Sequence, residues 1–131
     1  MRRFPQLVLV AQGWIYIVAG LWPVVSLHTF ELVTGPKVDG WLVRTVGLLT
    51  VVTGAVIVFA RRRARVTPEI LLLAGGVAAS YVVIDVYYAL AGRISPVYLG
   101  DAAMELVFVI GAARAMRESR TTERGRSTGA A

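Results

Sequence analysis

The chain has 131 residues, 56% of them hydrophobic, and its mean hydropathy is positive, which is more apolar than an ordinary soluble domain. Its net charge is +6, but the basic residues flank apolar runs instead of forming one basic stripe, so nucleic acid is not an expected partner. There is no cysteine, which excludes disulfides, thiolate metal sites and thiol-based redox chemistry.

Four apolar runs predict four helical spans, at about 7–27, 41–60, 70–91 and 97–113. A span needs roughly 20 apolar residues, and in lipid an unbroken run of that length is a helix because its backbone must satisfy itself. The first run follows Arg2 and Arg3. It is too long for the apolar core of a cleavable signal and contains Gln12, Trp14 and Tyr16, so an uncleaved span is expected. Gly13 and Gly20 lie seven apart on it and predict close helix packing, and Pro23 predicts a kink near its far end. Gln12 is expected to bond a neighbouring helix.

The connection 28–40 is the longest. It holds a short amphipathic piece around Phe30, Leu32 and Val33, then the turn signal Thr34-Gly35-Pro36-Lys37. His28 and Glu31 are two ligand types without the further ligands a metal site requires, so no metal site is expected. The second run repeats the glycine spacing with Gly47 and Gly54 and carries Arg44 on the same stripe. After Arg61, Arg62, Arg63 and Arg65, the string Thr67-Pro68-Glu69 predicts a helix start, with Thr67 as cap, Pro68 in the first turn and Glu69 on the positive helix end.

The third run carries a stripe of Tyr81, Asp85 and Tyr88. The short loop 92–96 makes the third and fourth runs a tight hairpin. The fourth run carries Asp101 and Glu105 four apart on one face. Residues 117–131 are polar and small, with no periodic apolar face, and are expected to be a disordered basic tail. The expected organisation is therefore a membrane domain over 1–116 and a cytoplasmic tail over 117–131.

Eleven of the 14 basic residues fall on one side of this arrangement, so both termini and the middle loop are expected in the cytoplasm. The fold class is then all-α, a four-helix transmembrane bundle with N-in and C-in topology. Counting about 1.5 Å per residue places Arg44, Asp85, Asp101 and Glu105 roughly 5–12 Å below the outer surface, in one layer. Intramembrane charge is costly and faces the bundle interior or a wet cavity. These four residues, with Tyr88 as a hydrogen-bonding wall, are the candidate ligand-binding pocket. A purely structural alternative is an Arg44–Asp85 ion pair with Asp101 and Glu105 facing outer water. Trp22, Trp41, Tyr87, Tyr88 and Tyr98 read as an aromatic belt, one or two of which could line the pocket.

The strings Gly20-Leu21-Trp22-Pro23, Val33-Thr34-Gly35-Pro36-Lys37, Trp41-Leu42-Val43-Arg44-Thr45-Val46-Gly47 and Ile94-Ser95-Pro96-Val97-Tyr98-Leu99, followed by Asp101, resemble a group of small bacterial integral membrane proteins. The resemblance covers most of the chain outside its ends. More distantly the layout is similar to DoxX-like four-helix proteins, some of them linked to respiratory quinone chemistry. It implies a multi-pass protein of the bacterial inner membrane and places no catalytic residue. The first run has no acid, unlike the small multidrug exporters, and the charge bias is too strong for a dual-topology channel.

The sequence thus points to a membrane protein of unassigned activity with an acid-rich pocket in its outer half that takes a small ligand, proton or cation. No catalytic residue, metal or cofactor is expected. The partners expected are the lipid bilayer and a homo-oligomer or larger membrane complex. An accessory subunit of such a complex, and a membrane enzyme acting on a lipid or quinone with the acids as general acid and base, are the alternatives.

Overall fold

The structure, a computed structural model, describes residues 2–130; Met1 and Ala131, which end the two expected segments, lie outside the described residues. The described residues form five helices and no strand: α1 (Arg3–Val25), α2 (Leu27–Thr34), α3 (Gly40–Arg62), α4 (Pro68–Leu90) and α5 (Val97–Gly129). Three of these, α1, α3 and α4, are long and apolar enough to cross a membrane. The expected fourth span falls on α5, whose apolar stretch is interrupted by Asp101 and Glu105 and runs into Arg114. The outward surface of the first three suits lipid and not water. Leu7, Val18, Leu49, Leu72 and Val83 are each more than 60% exposed, and a contiguous apolar exterior of this kind is an aggregation surface in water.

Local chemistry sets the helix ends. Thr67 is extended and Pro68 occupies the first turn of α4, as its fixed φ favours. Thr67 makes no side-chain cap bond, so its expected capping role is not realised. Pro23 lies inside α1, which stops two residues later. At Ser26 the chain turns into α2, where the Ser26 hydroxyl accepts from the Thr29 N–H at 3.4 Å. The long connection is therefore largely an eight-residue helix that ends on Gly35, at φ 88°.

Residues 117–129 continue α5 as helix where the sequence predicts disorder. No packing holds the last part, since residues 120–130 are all exposed. Instead, the hydroxyls of Thr121, Thr122 and Thr128 each donate to the carbonyl four residues back, which adds local bonding to an Arg- and Glu-rich helix.

The helices pair unequally. Gly13 packs on Gly54 and Gly20 on Gly47, so closely that a methyl group at any of these positions would meet backbone of the opposite helix. The two glycine pairs expected from their spacing thus form one antiparallel seam between α1 and α3. A second antiparallel seam joins α4 to α5, where Gly75 faces Ala112. The two pairs meet along α1 and α5, with Val8 packed on Gly111. By contrast α3 and α4 barely touch. Arg61, Arg62 and Arg114 gather at one end, bonded or stacked onto Gln6, Trp14 and Phe4 of α1. The apolar core lies toward this basic end and the middle, around Leu9, Ile57, Leu71, Phe108 and Ala115.

This packing sets an expectation for substitution. Gly20→Val should lower unfolding stability in detergent by about 1–3 kcal/mol, because the α1–α3 backbones must separate. Gly76→Ala, with nothing within 4 Å of the added methyl, should be neutral or slightly stabilising. Comparing the melting temperatures of the two variants checks it.

Candidate functional site

At the end opposite the Arg cluster the helices enclose a cavity of about 710 Å³, lined by residues of all five helices. Its walls are mostly aliphatic and aromatic. Its polar groups are Tyr16 from α1, Thr50 from α3, Tyr81 and Asp85 from α4, Asp101 and Glu105 from α5, and Thr34 and Lys37 near α2.

Glu105 is the anchor. It is 3% exposed, and its Oε2 accepts a 2.6 Å hydrogen bond from the Tyr16 hydroxyl across the α1–α5 seam. The Tyr16 ring is held edge-on against Tyr81 and Phe108, with both centroid distances 6.0 Å. One turn before Tyr16, the Gln12 amide donates to the Ala74 carbonyl of α4 at 2.9 Å, which is the interhelical bond expected of it. The Tyr81 hydroxyl is hydrogen-bonded to the Thr50 hydroxyl, a polar tie across the loose α3–α4 seam.

Asp85 is treated differently. It is 4% exposed and Asp101 is its side-chain neighbour, yet its Oδ2 has no hydrogen-bond partner. Burying an ionisable group without satisfying it is expensive, so such an atom calls for an explanation. Among the described residues no basic side chain forms an ion pair with Asp85. Among the described residues the ion pair formed is Arg2–Glu118, at 4.0 Å and at the opposite end.

Near the cavity's outer edge, the Lys37 ammonium donates to the Thr34 and Gly35 carbonyls, both at 2.9 Å. It stands 5.9 Å from the Phe30 ring centroid and 5.2 Å from that of Tyr98. Glu31 accepts from the Lys37 backbone N–H at 3.0 Å, which fixes the turn. Lys37 is thus held by carbonyls and aromatic faces instead of by the acids.

Asp85, Asp101 and Glu105, three of the five residues proposed from sequence, converge on this cavity. Arg44 and Tyr88 do not line it. Arg44 is exposed on α3, and the Arg44–Asp85 ion pair of the structural alternative does not form. Tyr88 is 41% exposed and stacks edge-on against Tyr87 at 5.1 Å. The reason is rotational: the glycine seam commits the Gly47–Gly54 face of α3 to α1, and Arg44 is carried away from the acids. Of the aromatic belt, Trp22 and Tyr98 do reach the cavity.

Tyr16, Tyr81 and Thr50 carry polar contacts that the sequence reading did not place in the pocket. The signal for Tyr16 was available, since Gln12, Gly13, Tyr16 and Gly20 share one helix face. His28 is exposed, and among the described residues no three His, Cys, Asp or Glu side chains come together as a metal set. No known family, curated protein or solved structure matches this chain.

The two acids should differ in the sign of their effect. Glu105→Leu leaves the Tyr16 hydroxyl buried without its partner and should destabilise by about 1–3 kcal/mol. Asp85→Leu removes a carboxyl that has an unsatisfied oxygen and should be neutral or stabilising. Thermal unfolding of both variants in one detergent separates them, and equal losses would contradict the assignment.

Proposed function

We propose that the chain is an integral membrane protein whose acid-lined cavity binds a small ligand in the outer half of the bilayer. In this reading α5 joins α1, α3 and α4 as a fourth membrane-spanning helix, making a four-helix bundle. The Arg-rich end is cytoplasmic, in keeping with the excess of arginine there. The cost of the α5 acids is met by turning them toward the cavity and away from lipid.

The observation that carries the reading is Asp85: a buried carboxyl with an unpartnered oxygen on the wall of a ligand-sized cavity. Cavities of about 300–1,000 Å³, mostly apolar with a few convergent polar groups, are the usual form of small-molecule sites. A purely structural role for the acids is less well supported, because the Arg44–Asp85 pair it requires is not formed.

The absence of cysteine makes the test clean. Met104 lines the cavity, whereas Ala74 is fully buried in the core. In lipid nanodiscs, Met104→Cys should react with N-ethylmaleimide and Ala74→Cys should not. In intact cells, an impermeant maleimide should label Thr29→Cys on α2, while Arg63→Cys should label only after lysis. A silent Met104→Cys would remove the accessible pocket, and reversed labelling of the other two would overturn the orientation.

A further inference from the structure

We infer that the ligand of this cavity is an amphipathic organic cation, an ammonium head on an apolar body, that enters sideways between α3 and α4. The inference rests on the pocket reading above and names the chemical class the pocket takes.

The head is argued from charge and satisfaction. Asp85 and Asp101 sit together on the cavity wall with Glu105 one turn further along α5. Glu105 already has the Tyr16 hydroxyl as a donor, so the unmet demand lies at Asp85, whose Oδ2 has none. The cationic side chain of the cavity, Lys37, is occupied by two backbone carbonyls. An ammonium reaching the Asp85–Asp101 pair would supply both the missing charge and the missing donor. Among the described residues no metal-ligand set is assembled, and the remaining wall is apolar and aromatic, which suits an organic cation better than a hydrated metal ion.

The body and the route are argued from the seams. Outward of the Thr50–Tyr81 tie, Leu42 and Val46 of α3 and Ile84 of α4 line the cavity while remaining 46%, 43% and 51% exposed. The cavity therefore reaches the lateral surface between those helices, where the surroundings of a membrane helix are acyl chains. A ligand with an apolar body can partition into the bilayer first, slide in through this gap, and leave its tail in the gap while its head meets the acids.

Dodecylammonium is a suitable probe because at neutral pH it carries both the positive charge and N–H donors. In nanodiscs of zwitterionic lipid, it should slow N-ethylmaleimide labelling of Met104→Cys at least tenfold. Dodecanol, with the chain but no charge, and methylammonium, with the charged donor head but no chain, should each change the rate less than twofold at the same concentration. Asp85→Asn placed in the Met104→Cys background should abolish the protection. Asp101→Asn, at a less deeply buried position, should weaken it severalfold and serves if the buried variant misfolds. Equal protection by dodecanol, or protection that survives both acid substitutions, would overturn the cation assignment. Labelling that is never protected would overturn it too, while leaving the accessible pocket standing. Failure of Met104→Cys to label at all would remove the pocket itself.

Discussion

The structure depends on an inequality among its helix seams. Glycine lets α1 and α3 meet backbone to backbone at Gly13–Gly54 and Gly20–Gly47, and small residues let α4 and α5 do the same at Gly75 and Ala112. The remaining sides are unequal. The two pairs join along α1 and α5, through Val8 on Gly111 and through the Tyr16–Glu105 hydrogen bond, and they stand apart at α3 and α4. The cavity is what this leaves, and the single Tyr16–Glu105 bond fixes its depth by holding the two pairs together at the cavity floor.

The polar groups then sort by what each seam allows. At the joined seam Glu105 is satisfied by a tyrosine, which lets a carboxyl sit at 3% exposure without a counter-ion. Asp85 lines the cavity from α4, with Asp101 of α5 as its side-chain neighbour. It keeps one oxygen without a protein partner. The basic end works by a different device. There the guanidiniums of Arg62, Arg63 and Arg114 lie over Trp14, Phe59 and Phe4, so their charges remain accessible while their flat faces cover apolar surface.

Much of this is legible from sequence because lipid-like helices obey few rules. The apolar runs give α1, α3 and α4 to within a few residues, and the seven-residue glycine spacings mark faces for close packing, although only the structure pairs those faces with each other. Asp101 and Glu105, four apart, necessarily share a face, and Asp85 lies at the matching depth on the antiparallel neighbour. Helix rotation is what depth counting cannot supply. Arg44 has the right depth, but its helix is turned by glycine packing, and Tyr88 is turned with the exposed side of α4. Helix α2 shows in the sequence only as a short amphipathic piece within a connection, because eight residues are too few to show a period. The helical continuation over 117–129 has no apolar face to show a period, and apart from the Arg2–Glu118 contact its bonding is local.

The most direct measurement is a double-mutant cycle across the seam that sets the cavity floor. Tyr16→Phe, Glu105→Gln and the double variant would be unfolded reversibly in one detergent and their free energies compared with the parent. A coupling of about 0.5–2 kcal/mol is expected if the two side chains share one buried hydrogen bond. Additive effects, with no coupling, would mean that α1 and α5 do not meet there. The acid-lined cavity would then have neither its floor nor its anchor.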